Sequence, residues 1–322
     1  MRFLLSLLAL VTAQGASAHV RWFVNSPDQV SAYTWVFQDF LLVGIAIGAC
    51  VVAGFLSKIQ LPFVRNGAFF KPWPHELQFR LLAVVLGCWL LSTFYHGEFI
   101  APNLAPSGNI EFLVGFQALV GVLLLIGHRI ASYTLSIFFL IFLLIISNPF
   151  VAWIDYVPEL LGFGIALACA SNPDRAVKYL RVCLGVQLVV LAVHNKLINP
   201  NMGLQFLEMH PWNFFPLIGL DMFSNANFII GIGMAETALG VLLIFGLATR
   251  LIAALVVCVF GLTGSLLGIA ELVGHIPIVA SFLVVVSLGT GETNFKELSP
   301  ANLMASLDGL GSKVTGLMSA NK

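Results

Sequence analysis

NFIIGIGMAETALGVLLIFGL, residues 227–247, is an apolar run broken by a single ionisable side chain, Glu236. Coiled as a helix at about 1.5 Å per residue, it matches the roughly 30 Å hydrocarbon core of a bilayer. The rest of the chain reads the same way. Of 322 residues, 59% are hydrophobic and 9% charged, with a mean hydropathy of +0.97. A soluble domain carries roughly 25% charged residues, so these charges are too few to coat a soluble surface. The hydrophobicity is equally incompatible with disorder. The fold class is all-α: a polytopic helical membrane protein.

Nine apolar segments lie near 35–57, 79–96, 110–127, 131–147, 150–171, 178–195, 227–247, 251–270 and 276–290. Residues 1–18 read as a secretory signal: Arg2, a short apolar run, then Ala16-Ser17-Ala18. Cleavage after Ala18 exposes His19 and sets the N-terminus outside. Of the 15 basic residues, 12 then fall on the cytoplasmic side, as the positive-inside rule requires. The expected location is the inner membrane, with a periplasmic N-terminal segment at 19–34 and a cytoplasmic tail at 291–322. Net charge is zero and no basic run exists, so nucleic acid is not a partner; the bilayer is. The five cysteines sit singly in apolar runs and read as small packing residues.

The chain also repeats itself. Gln117-Ala-Leu-Val-Gly121 aligns with Glu236-Thr-Ala-Leu-Gly240 at an offset of 119, which also carries Pro158 onto Pro277. Upstream the offset is 98: His96 pairs with His194, and Pro102-Asn103 with Pro200-Asn201. The difference marks an outer insertion at 204–225. The expected architecture is one extra helix, with its cytoplasmic loop at 35–78, followed by two parallel four-helix repeats, 79–171 and 178–290. Any site shared by the units is expected where they meet.

An ionisable group at mid-membrane costs about 2.5–3.5 kcal/mol and is a functional candidate by default. Glu236 is the best placed, with a neutral counterpart in Gln117. A structural hydrogen bond to a neighbouring helix is the plainer reading of Glu236. Asp155 and Glu159 are spaced i,i+4, so they share a helix face and could share a proton or bind a cation. A wet helix entrance explains them as simply. Asp39 and Glu111 suit helix starts. Lys196 is basic on the outer side, where it could neutralise Glu208 or Asp221, hold an anion or a quinone carbonyl, or snorkel to the interface.

In this topology His19, His96, His194, His210 and His275 all lie outside or at the outer boundary, with Met202 and Met209 adding soft sulfur. Imidazole and thioether suit copper, and the α-amine and ring of a terminal His19 could chelate one ion. If these residues converge they form a metal site; taken singly, each is an interfacial histidine bonded to a carbonyl.

The stretch His194-Asn195-Lys196-Leu197-Ile198-Asn199-Pro200, with Glu236, Gly240, Gly246 and Arg250 following, resembles the DoxX/DoxD-type membrane family. The likeness covers roughly 178–290. The first half looks like a degenerate copy, with Glu98 in place of the lysine and Gln117 in place of the glutamate. The resemblance implies a redox-linked accessory role, since members include the membrane subunit of a thiosulfate:quinone oxidoreductase. The leading expectation is thus a redox-linked or copper-binding accessory protein with a periplasmic-side histidine site. Copper or a quinone would be the cofactor, and a periplasmic redox or metal-carrying protein the partner. The alternatives are a small-solute or ion transporter using Glu236 and a non-catalytic assembly factor. No nucleophile–base pair or nucleotide-binding motif is present in the sequence.

Overall fold

The computed structural model describes residues 33–58, 73–101, 104, 110–127, 130–147, 153–267 and 269–289. The expected signal segment, His19, the loop from 59 and the C-terminal segment lie outside these residues. Among the described residues the chain is helical without a named strand. Each of the nine apolar segments falls on a helix: α1 (Phe37–Lys58), α2 (His75–Tyr95), α3 (Ile110–Ile126), α4 (Ile130–Ser147), α5 (Val157–Ala168), α6 (Pro173–Ala192), α8 (Asn225–Phe245), α9 (Thr249–Leu267) and α10 (Ile269–Leu288). A further short helix, α7 (Pro200–Met209), opens the outer insertion. Four stretches are long and apolar enough to cross a membrane: Phe37–Phe55, His75–Tyr95, Pro173–Leu197 and Asn225–Phe245. The chain is a helical, multi-pass membrane protein.

Local chemistry sets the helix ends. Asn172 caps α6 by accepting from Arg175 N at 3.3 Å, with Pro173 at the first helical position, where its missing N–H costs nothing. Ser224 and Asn227 form a reciprocal capping box at the start of α8. Gly246 ends that helix in the left-handed region, φ 76°, as a residue without Cβ does readily. Pro158 lies in the first turn of α5, and Asp155 precedes that helix rather than sharing its face with Glu159.

Packing joins α2 to α3, α3 to α4, α4 to α5 and α2 to α5; likewise α6 to α8, α8 to α9, α9 to α10 and α6 to α10. Two further contacts, α5 with α6 and α2 with α10, bring the two sets together. Glycines permit the closest crossings. A Cβ on Gly87 would lie 2.8 Å from the Gly121 carbonyl oxygen, and one on Gly185 would lie 2.7 Å from the Gly240 carbonyl oxygen. Those pairs fall at the two sequence offsets, 98 and 119. Arginines close the helix ends nearby. Arg80 donates to the carbonyls of Leu124, Leu125 and Gly127 at the end of α3. Arg181, fully buried, donates to Leu243 near the end of α8 at 2.6 Å. Both meet carbonyls that a helix terminus leaves unpaired, at its negative end.

Helix α1 stands apart and leans on α8 alone among its larger contacts. Its anchor is Asp39, 0% exposed, which accepts from Tyr33 Oη and Val36 N at 2.9 Å and from Asn227 Nδ2 at 2.8 Å. The expected helix-start role of Asp39 is thus joined by a bond between helices. Burial, then the hydrogen bond to Asp39, pushes the Tyr33 phenol up from 10.0 to about 12. The folded-state value is the higher one, so the stabilisation is complete below pH 10.0 and is lost as pH rises through about 12. Ultraviolet titration should find a tyrosine ionising near that upper value, and Asp39→Asn should move it down. Gly185→Ala and Gly240→Ala should each destabilise the protein by about 1–3 kcal/mol, through overpacking against backbone. Gly44→Ala, where a Cβ would meet nothing within 4 Å, should leave the melting temperature almost unchanged.

Candidate functional site

Helix α6 does not stop at Ala192. It widens into a π-helical turn, Val193–Leu197, closed by Ile198 N donating to Val193 O at 2.9 Å. Pro200 cannot continue a helix through its own nitrogen and disfavours helical backbone at Asn199, so the chain is reset before α7. The extra residue in the turn changes which way the side chains face, as π-turns at functional sites commonly do. His194 and Asn195 turn toward the segment leading into α5, and Lys196 turns toward α8.

Lys196 Nζ lies 2.5 Å from Glu236 Oε2. The lysine side chain is 0% exposed and the glutamate side chain 14%. This settles which carboxylate holds Lys196: it is Glu236 in mid-helix, rather than Glu208 or Asp221, and a fully buried ammonium does not snorkel. Gly233 lets the turn press so closely. A Cβ there would come within 2.7 Å of Leu197 and 3.1 Å of the Lys196 Cβ. Beside Glu236 is a narrow cleft of about 20 Å³ lined otherwise by Leu188, Ala235, Leu239, Val256, Val259 and Phe260. It has room for about one water-sized guest. A quinone ring does not fit it unless α6, α8 and α9 move apart.

The second carboxylate met by the turn is Asp155, 2% exposed. His194 Nδ1 is 2.9 Å from its Oδ1, and Asn195 Nδ2 donates to its Oδ2 at 3.3 Å. Gln187, on α6, knits the same corner: its Nε2 donates to the Asp155 backbone oxygen and its Oε1 accepts from Glu159 N. Glu159 is 4% exposed. The wet helix entrance expected for these two acids is therefore replaced by a packed polar corner between α5 and α6. Sequence reasoning passed over Asn195 and Gln187. The available signal was a pair of amides on the buried side of an otherwise apolar helix.

Gln117 is engaged quite differently from Glu236. It donates to Leu90 O, Thr93 Oγ1 and Glu98 O, and accepts from Ile100 N at 2.7 Å. Those bonds tie down a turn in which Ile100 holds φ 66°, a conformation rare for a β-branched residue. Gln117 is thus a fully used structural amide. The remaining candidates do not gather. His96 is exposed, with its ring 5.4 Å from that of Tyr95. His210 packs among Phe206 and Trp212 at 4.9 and 6.0 Å. His275, fully buried, stacks on Phe260 at 4.6 Å. Among the described residues no three His, Cys, Asp or Glu side chains form a metal-binding group, so His96, His194 and His210 do not make the expected copper site together. His19 lies outside the described residues.

Comparisons with protein-family models, with curated proteins and with solved structures find no match.

Removing one partner of a buried ion pair strands the other, at a cost of about 3–5 kcal/mol. Lys196→Met alone should lower stability by that order, read by thermal or denaturant unfolding of the purified protein in detergent. Adding Glu236→Leu should restore much of the loss. If both single variants and the double variant melt with the wild type, the pair contributes nothing to the folded state.

Proposed function

We propose that this chain is an inner-membrane protein that handles protons or a small cation through the outer half of its second four-helix unit. The proposal includes the finer architecture: nine spans, a signal removed after Ala18, a periplasmic N-terminus and a cytoplasmic C-terminus. It also takes 79–171 and 178–290 as parallel repeats. The matched glycine crossings, Gly87 on Gly121 and Gly185 on Gly240, support the repeat reading, as does the reciprocal packing of α5 on α6 and α2 on α10.

One observation carries the functional reading. A single π-helical turn delivers His194, Asn195 and Lys196 to two carboxylates, Asp155 and Glu236, that an apolar bundle would otherwise exclude. Ionisable groups are rare inside spans because they are costly there, and those present mark ion and proton routes. The pair has a built-in coupling. A proton arriving on Glu236 removes the charge that compensates Lys196, so the ammonium must then release a proton or move. Glu236 borders the cleft between α6, α8 and α9, where such an exchange has space. The resemblance of 178–290 to the DoxX/DoxD-type family extends the proposal: the site would serve an accessory subunit working beside a periplasmic redox protein. Copper binding through His19 remains a separate proposal, resting on that residue alone.

In liposomes loaded with a pH-sensitive dye, the wild-type protein should relax an imposed pH step faster than empty vesicles do. Glu236→Gln should return the rate to that of empty vesicles, while Gln117→Glu in the other half should leave it unchanged. Equal rates for wild type and Glu236→Gln would sink the reading. For topology, the mature protein should begin at His19, and a reporter joined after Lys322 should be active in the cytoplasm.

A further inference from the structure

The polar corner between α5 and α6 holds two buried acids, Asp155 and Glu159. His194 and Asn195 bond to the Asp155 carboxylate, and Gln187 bonds to the backbone of both acids. Two side-chain oxygens are left over. Glu159 Oε2 and Asn195 Oδ1 are inaccessible and have no hydrogen-bond partner. Glu159 is 4% and Asn195 0% exposed. Both leftover atoms are acceptors, and a buried carboxylate oxygen without a donor or cation costs far more than a satisfied one.

Among the described residues, the charged and basic groups on the facing elements are placed elsewhere; His275 of α10, which packs on α6, stacks on Phe260. Helix α4 contributes no Lys, Arg, His, Asp or Glu. On α2, Arg80 is committed to the far end of α3, and Glu76 lies in the first turn of α2. His96 and Glu98 follow its last turn, His96 exposed and Glu98 half-buried. On α6, Arg175, Lys178 and Arg181 lie toward the helix start, three or more turns before the π-helical turn. Lys196 is held by Glu236. His194, with a quarter of its side chain exposed, is the imidazole that meets Asp155.

We propose that Glu159, Asn195 and Asp155 form a binding site for a small monovalent cation of the sodium class at the junction of α5 and α6. Hard cations take oxygen ligands, and calcium takes six to eight of them. Two carboxylates and one amide oxygen, with Asp155 already accepting two hydrogen bonds, suit a singly charged ion better than a divalent one. The site deepens the ion-handling reading by naming the ion, but its occupancy does not require flux through Glu236.

The test is thermal unfolding of the purified full-length protein in detergent, in sodium, potassium and choline chloride at equal ionic strength. Sodium should raise the melting temperature by several degrees over choline, increasingly with concentration. Glu159→Gln and Asn195→Ala should abolish the increment, and Glu236→Gln should keep it. Should Glu159→Gln fail to fold, sodium-23 relaxation on the wild-type protein, with and without competing potassium, reads the same binding. Equal melting temperatures in all three salts would overturn the proposal and leave the corner to a proton or a buried water. A sodium increment in Glu236→Gln, combined with unchanged proton flux in that variant, would refute the function proposed above while supporting this site.

Discussion

An ammonium group with no exposed surface survives in an apolar bundle only beside a compensating carboxylate. Lys196 meets that condition through Glu236 at 2.5 Å, and much of the second half of the chain is arranged around the contact. The helix carrying Lys196 must widen at its end, Gly233 must lack a side chain so that the turn can approach α8, and Gly240 must lack one so that α6 and α8 cross closely. Burial of a pair like this is seldom the most stable solution, because desolvating two charges offsets most of their attraction.

The first half carries no such charge on α3. Gln117, 119 residues before Glu236, spends its amide largely on the backbone between Leu90 and Ile100. A neutral amide gives up a smaller desolvation free energy and can be satisfied by carbonyls and an N–H alone. One set of helices thus closes on a structural hydrogen-bond cluster and the other on a titratable pair. The α5–α6 junction adds a second polar corner, where amides from α6 and its π-turn meet the acids that open α5.

Much of the scaffold was legible in the sequence, because hydropathy and helix caps act over a few residues. The nine apolar segments each fall on a helix, and the ends near 110, 126, 147 and 245 lie within about two residues of those expected, which is the scatter of any boundary assignment. The exceptions have local causes. Asp155 falls before the helix that Pro158 helps to start, and Pro200 forces the end of α6 into a turn that periodicity does not register. Glu236, Lys196, Asp155 and Glu159 were identifiable singly, as ionisable residues in apolar surroundings. Their partners were not. Pairing Lys196 with Glu236 depends on the direction of one side chain in a π-turn, and a 3.6-residue period assigns that direction wrongly.

Composition by itself determined that the chain is a helical membrane protein, because so few charges cannot solvate a soluble surface. Residue types alone also marked where charge would be costly. The tertiary structure decided which costly groups meet, since helices far apart in sequence must cross before Lys196 finds Glu236 or His194 finds Asp155. It likewise dispersed the histidines: imidazoles on one side of a membrane form a metal site only when their helices bring them within bonding distance, and His96, His194 and His210 are each held by different neighbours.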